Sequence, residues 1–347
     1  MSFARKLSRR EFGLLAGNVA MGSLAGGSFL APRAVVAQSL AANLSYYTSP
    51  NPQTYGKATG SFQKAFGDRA KANFVVVRSG GEVVSGLAGN SLDIAQTASS
   101  PVVVGYCNGV KASIIWIQKY ITTSEGLVVR KAVGIKSLKD LAGRKVAVPF
   151  NTSVHLAMLA ALESVGMAAK DVELVNMKID AVVAAWKRKD IDAAYVWTPI
   201  LTDVAGDGGE ILFTSGQLQP LGTLIFDVVV ATATFIKQHP DIVQAYLNEC
   251  NRINNLYREQ PQMVAEQFEK FLAIPKDRVL EYIAGFNTIT PQVMLRKDWM
   301  GMPGDTDTGV LKTVKRQAKF LKDEGQVTSV PDSFGALVDA SFVAKMV

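Results

Sequence analysis

The sequence predicts an α/β protein of two lobes closed by a helical C-terminal section, and three observations carry that reading. Short apolar strands alternate with helical stretches in two separate runs, one before Arg130 and one after it. Beyond Asp227 the apolar spacing becomes predominantly helical. Between an N-terminal leader and the end of the chain lie roughly 310 residues, more than one hydrophobic core ordinarily serves.

The leader comes first. Arg5, Lys6, Arg9 and Arg10 form a basic start, an apolar Gly/Ala-rich stretch runs from Gly13 to Ala31, and Ala34-Val35-Val36-Ala37 offers small residues for a signal peptidase to cut before Gln38. Five glycines and the flanking Pro32 dilute the stretch below what a bilayer-spanning helix needs, so residues 1–37 are expected to be a signal peptide and not an anchor. Ser8-Arg9-Arg10-Glu11-Phe12 resembles the twin-arginine export motif, although Gly13-Leu14 departs from its usual continuation.

In the first run, Leu44 to Thr48 reads as strand, Gly60 to Phe66 as helix, Phe74 to Val77 as strand, Val83 to Gly89 as helix and Leu92 to Gln96 as strand. Such a βαβ rhythm makes a parallel sheet. The second run gives Lys145 to Val148, Leu174 to Met177 and Ala193 to Val196 as strands, with Val154 to Val165 and Ala181 to Lys187 as helices. The runs echo each other: an Asp opens a short strand that ends in a polar or aromatic turn and a proline, at Asp93 to Pro101 and again at Asp192 to Pro199. After the strand Val228 to Ala231, Val243, Tyr246, Leu247, Cys250, Ile253 and Tyr257 recur at helical spacing, and helices follow at Met263 to Leu272, Lys276 to Ala284 and Val310 to Glu324. The expected organisation is therefore lobe 1 over 43–128, lobe 2 over 129–227, and a return to lobe 1 over 228–347, with crossings near Gly126 to Arg130 and Phe226 to Val230.

Charge narrows the partners. The formal net charge is +7, but five basic residues and Glu11 lie in the leader, so the processed chain carries only +3. No long Lys/Arg run remains to track phosphates or to bind a membrane surface, which argues against nucleic acid. Cys107 and Cys250 lie in apolar helix-like surroundings and read as lone thiols, with a disulfide as the alternative in an exported protein.

Catalytic chemistry is poorly provided for. The two histidines, His155 and His239, have no nearby Cys or His with which to hold a metal, and neither GxSxG, P-loop nor GxGxxG is present. No cofactor and no catalysis are expected. Anion binding has better candidates, because a helix N-terminus offers unpaired N–H groups and a positive dipole end. Ser99-Ser100-Pro101 follows one strand and Asn151-Thr152-Ser153 follows another, the latter with His155 in the next turn. Each could be plain capping. Two such starts at the carboxyl ends of strands, where open α/β sheets bind ligands, point to a site.

The stretch from Gly81 to Pro199 resembles the taurine-binding members of the nitrate/sulfonate/taurine solute-binding family of ABC importers. The resembling blocks are Ala98-Ser99-Ser100-Pro101, Ser124-Glu125-Gly126-Leu127-Val128-Val129, Ala147-Val148-Pro149-Phe150, Thr152 to His155 with Leu159-Ala160-Ala161-Leu162, Ala184-Ala185-Trp186, and Asp190 to Pro199. Weaker similarity continues through Asp227, His239-Pro240 and Thr290-Pro291. The resemblance implies the two-lobed type II periplasmic binding fold, a ligand held between the lobes, and a membrane permease as partner. Taurine joins a sulfonate to an ammonium, so donors are needed at one end and carboxylates at the other. The expected ligand set is Ser99, Ser100, Thr152, Ser153 and His155 around the anion, Glu125 and Asp227 for the ammonium, and Tyr195 and Trp197 as walls or a cation–π face.

Departures from the family pattern bear on the ligand. The relatives tend to carry prolines at Ile179-Asp180, Ala at Thr198, and Leu at Phe226. Asp180 could cap a helix or face the cleft. The alternatives are a receptor for an alkanesulfonate, nitrate or sulfate ester, and an enzyme of the thiamine-pyrimidine type, for which the same fold is known.

Overall fold

The structure, a computed structural model, describes residues 40–150 and 152–347; the expected signal peptide and Asn151 lie outside the described residues. The first run of the chain supplies β1 (Ala41–Tyr46), α1 (Pro52–Thr59), α2 (Ser61–Phe66), β2 (Lys71–Val76), α3 (Gly80–Ala88), β3 (Ile94–Ala98), α4 (Ser99–Cys107) and β4 (Ala112–Tyr120). The second supplies β5 (Glu125–Arg130), β6 (Lys145–Val148), α5 (Ser153–Ser164), β7 (Glu173–Asn176), α6 (Ile179–Arg188), β8 (Ala193–Trp197), α7 (Ile200–Gly206) and β9 (Gly209–Thr214). The return adds β10 (Phe226–Thr232), α8 (Ala233–Gln238), α9 (Pro240–Glu259), α10 (Pro261–Leu272), α11 (Lys276–Ala284), α12 (Pro291–Met294), α13 (Gly309–Asp323) and α14 (Ser341–Ala344).

These strands form two sheets of five, in the orders β2-β1-β3-β10-β4 and β7-β6-β8-β5-β9. The orders match position for position. In each, a parallel set is joined by one antiparallel strand, β10 in the first and β5 in the second. β10 comes from the return segment and completes the first sheet, whereas β5 opens the contiguous run that makes up the second.

The Asp echo has a shared physical basis. The Asp93 carboxylate accepts from the Asn43 backbone N–H at 2.8 Å, and the Asp192 carboxylate accepts from that of Lys145 at 3.1 Å. In both cases the same Asp donates its own N–H to that residue's carbonyl, at 2.9 Å. Each Asp thus closes the open end of a parallel pair whose last N–H would otherwise lack a partner. The chain passes between sheets through residues 121–124 and returns through 215–225. The crossings expected at Gly126 to Arg130 and Phe226 to Val230 fall inside β5 and β10, because those apolar runs are sheet interior, and the passages lie just ahead of them.

Burial follows the period of the strands. In the second sheet Leu127, Val129, Val146, Val148, Ala193 and Tyr195 pack on one face with α5, while Val128, Ala147, Ala194 and Val196 pack on the other with Trp186 of α6. Two-sided burial is what a largely parallel sheet with helices on both faces requires. In the first lobe Val243, Tyr246, Leu247, Cys250, Ile253 and Tyr257 of α9 are all buried in the core, as their spacing predicts, and Tyr246 stacks on Phe62 at 4.5 Å. Cys107 and Cys250 are free thiols.

Candidate functional site

The carboxyl ends of the parallel strands lie on one edge of each sheet. On the first, Asp227 at the start of β10 sits opposite Ala98 at the end of β3 and opposite Lys119 near the end of β4. On the second, Glu125 at the start of β5 sits opposite Trp197, the last residue of β8. Only residues 121–124 separate β4 from β5. The two edges are thus tethered close together, and each carries one carboxylate.

Glu125 is buried and doubly held. Its Oε1 accepts from Ser153 Oγ at 2.6 Å and its Oε2 from Ser215 Oγ at 3.3 Å, and Ser215 in turn lies 3.1 Å from the Tyr195 hydroxyl. Burial pushes its carboxyl up to about 7; the Ser153 hydrogen bond and the Lys119 charge oppose that rise, while Asp227 adds to it. At neutral pH the group is poised between acid and carboxylate, and a cation placed against it would fix it as the anion.

Asp227 already has a cation. Its Oδ2 lies 3.4 Å from Lys119 Nζ and accepts from Gln96 Nε2 at 3.2 Å. The Lys119 ammonium is itself mostly shielded and sits 5.7 Å from the Tyr282 ring centre and 5.2 Å from that of Phe286. Burial disfavours its charge, but Tyr282, Asp227 and Glu125 together outweigh that and hold it above the usual lysine range.

The two helix starts are present with a changed division of labour. Ala98, not a serine, is the N-cap of α4; Ser99 and Ser100 are buried in its first turn, and Ser99 Oγ accepts from Gln317 Nε2 at 2.8 Å. Thr152 is the N-cap of α5, but its hydroxyl donates to the Pro149 carbonyl at 2.5 Å, and Ser153 is spent on Glu125. Neither helix has a side-chain cap, so the first N–H groups of both keep their capacity for an anion.

Two expected residues do other work. His155 is buried, stacked on Phe150 at 4.1 Å and met edge-on by Phe320 of α13 at 5.5 Å, with no partner for Nε2 among the described residues. Burial lowers its pKa to about 4, so it is neutral at neutral pH and its faces are closed by rings. Tyr195 is fully buried in the second core, where its hydroxyl orients Ser215; it does not wall a cavity. Trp197 is half-buried beside Glu125. Asp180 lies exposed in the first turn of α6.

Sequence reasoning missed Gln96, Lys119, Ser215, Tyr282 and Phe286. The available signal was a Gln-Lys pair at the end of the otherwise apolar run Ile114 to Ile117, where a charge has to find a partner. Among the described residues, no group of three or more His, Cys, Asp or Glu is placed to hold a metal ion, and no helix is long and apolar enough to cross a membrane.

Comparison with known proteins adds to this geometry. A family model described as NMT1/THI5 like matches residues 79–263. The chain is 31% identical over 313 residues to the taurine-binding periplasmic protein of Escherichia coli, covering 88% of this chain and 94% of that one. In three dimensions it is similar to the periplasmic aliphatic sulphonate binding protein of Escherichia coli, with a TM-score of 0.73 at 18% identity over 84% of this chain and 95% of the other. A desulfurization enzyme matches with a TM-score of 0.59 at 16% identity, over 88% of this chain and 98% of its own. At such identities the likeness speaks for fold alone, and this fold carries both binding proteins and enzymes.

Proposed function

The chain belongs to the NMT1/THI5-like family, and on that premise we propose that it is the solute-binding component of an ABC importer, holding taurine or a similar small aminosulfonate between its lobes without catalysis. The observation that carries the reading is Glu125. A buried carboxylate with a hydroxyl on each oxygen, poised near neutrality and with no direct cationic partner among the described residues, suits a ligand ammonium. Asp227 Oδ1, to which no described residue donates, offers a second acceptor. The sulfonate would lie against the uncapped N–H groups of α4 and α5 near Ser99, Ser100, Thr152 and Ser153, with Trp197 excluding water from the carbons between. The lobes would close around the ligand by rotation about 121–124 and 215–225. The name of the taurine-binding relative supports a periplasmic setting and, with it, a membrane permease as partner.

The test is a comparison of taurine with ethanesulfonate by titration calorimetry. Without the amine, Glu125 stays in the closed cleft without its cation, which costs about 1 to 3 kcal/mol, so taurine should bind at least tenfold more tightly. Equal affinities would remove amine recognition and leave a receptor for alkanesulfonates, nitrate or sulfate esters.

A further inference from the structure

We infer that Lys119 is a specificity-determining residue of this cleft, its ammonium meeting the anionic end of the ligand from a seat between Asp227 and the rings of Tyr282 and Phe286. The inference rests on the reading of the cleft as an aminosulfonate site and assigns its anion a side-chain partner. An ammonium has three donors and no acceptor. Here, among the described residues, only one oxygen lies within ion-pair reach, Asp227 Oδ2 at 3.4 Å, and the two rings cover another side of the charge. A partly buried ammonium with a single long oxygen contact has donors left over for a further acceptor. An oxygen-rich anion would complete it.

Position supports the same conclusion. Lys119 lies on the carboxyl edge of the first sheet, in register with Asp227, and only five residues intervene before Glu125 on the facing edge. The cleft thus holds a fixed cation paired to one carboxylate, with the second carboxylate across from it. A zwitterion can lie antiparallel to that arrangement, sulfonate towards Lys119 and ammonium towards Glu125. An amine without an acid meets a cation of its own sign, so Lys119 also excludes simple amines.

The experiment titrates taurine, ethanesulfonate and ethanolamine into the full chain as wild type, Lys119→Met and the double variant Lys119→Met/Asp227→Asn. The double variant removes both members of the pair, so no buried charge is stranded if the single variant fails to fold. Whichever sulfonates bind the wild type should lose at least tenfold in Lys119→Met and in the double variant, while ethanolamine gains affinity in Lys119→Met, where Asp227 is released. Sulfonate affinities within twofold of wild type in a folded variant, or parallel losses for all three ligands, would overturn the role of Lys119 and leave the aminosulfonate reading standing. A wild type that binds neither sulfonate would overturn that reading and the role of Lys119 with it.

Discussion

Glu125→Gln is expected to lower the affinity for taurine about a hundredfold at pH 8 and to leave ethanesulfonate nearly unchanged. Glutamine keeps the volume and one acceptor for the Ser153 hydroxyl, now 2.6 Å from Glu125 Oε1, but it deletes the charge. Removing one side of a buried ion pair strands the other, and the loss runs to several kcal/mol because the ligand ammonium has left water without a counter-charge. The cleft is part-open to solvent during exchange and Asp227 is nearby, so a loss of about 2.7 kcal/mol, or a factor of about 100, is the reasonable size. The pH matters. With its carboxyl pushed up to about 7, the wild-type group is largely ionised above that value, and at pH 6 deprotonating it to meet the ammonium costs about a factor of ten, so the gap to the variant should narrow from about a hundredfold to about tenfold. Calorimetry with both ligands decides the point: equal losses would mean that Glu125 sets the positions of Ser153 and Ser215 and does not meet the amine.

How much of this was legible beforehand depended on whether the decisive contacts were local. Strand β6 and helix α11 fall where the sequence places them, because a four-residue apolar strand ending at Pro149 and a helical pattern bounded by Pro275 and Gly285 are read from neighbours alone. Helix α1 was missed: its composition is polar and Gly56 interrupts it, although Asn51 accepting from the Thr54 N–H, with Pro52 next, is a recognisable start. Strands β4, β5 and β9 are not picked out as strands: β4 and β9 each follow a helix after β3 or β8 but pair with β10 or β5 instead of the strand before, and β5 follows β4 with no helix between. The site divides in the same way. Glu125 and Asp227 came through family resemblance, whereas Lys119 reads locally as the frayed end of an apolar run. Only its register against β10, from more than a hundred positions away, makes it part of a charge cluster. The surroundings of His155 were hidden for the same reason, because the ring that meets it edge-on comes from α13.

That placement of His155, set beside Glu125, leads to opposed contributions to stability against pH. Glu125 is raised from 4.5 to about 7, so below pH 4.5 it is protonated in both states and neutral to folding. As pH rises from 4.5 to 7 the unfolded chain ionises it and the folded protein does not, and stability falls. His155 is lowered from 6.5 to about 4, so above pH 6.5 it is neutral in both states. As pH falls from 6.5 to 4 the unfolded chain protonates it and the folded protein does not, so stability falls in that direction. Between pH 4.5 and 6.5 the two slopes oppose and largely cancel in the ligand-free protein. Each variant uncovers the other's slope. Relative to wild type, Glu125→Gln should gain stability steadily as pH rises through that window, and His155→Phe, which keeps the stacking ring, should lose it, each by on the order of 3 kcal/mol across the window, at about 1.36 kcal/mol per pH unit. Urea unfolding at half-unit pH steps gives the two difference curves, in which all other titrating groups drop out. A flat curve for His155→Phe would mean that its imidazole takes up a proton in the folded protein and is open to the cleft, whereas a flat curve for Glu125→Gln would mean that the carboxyl is already ionised and paired before any ligand arrives.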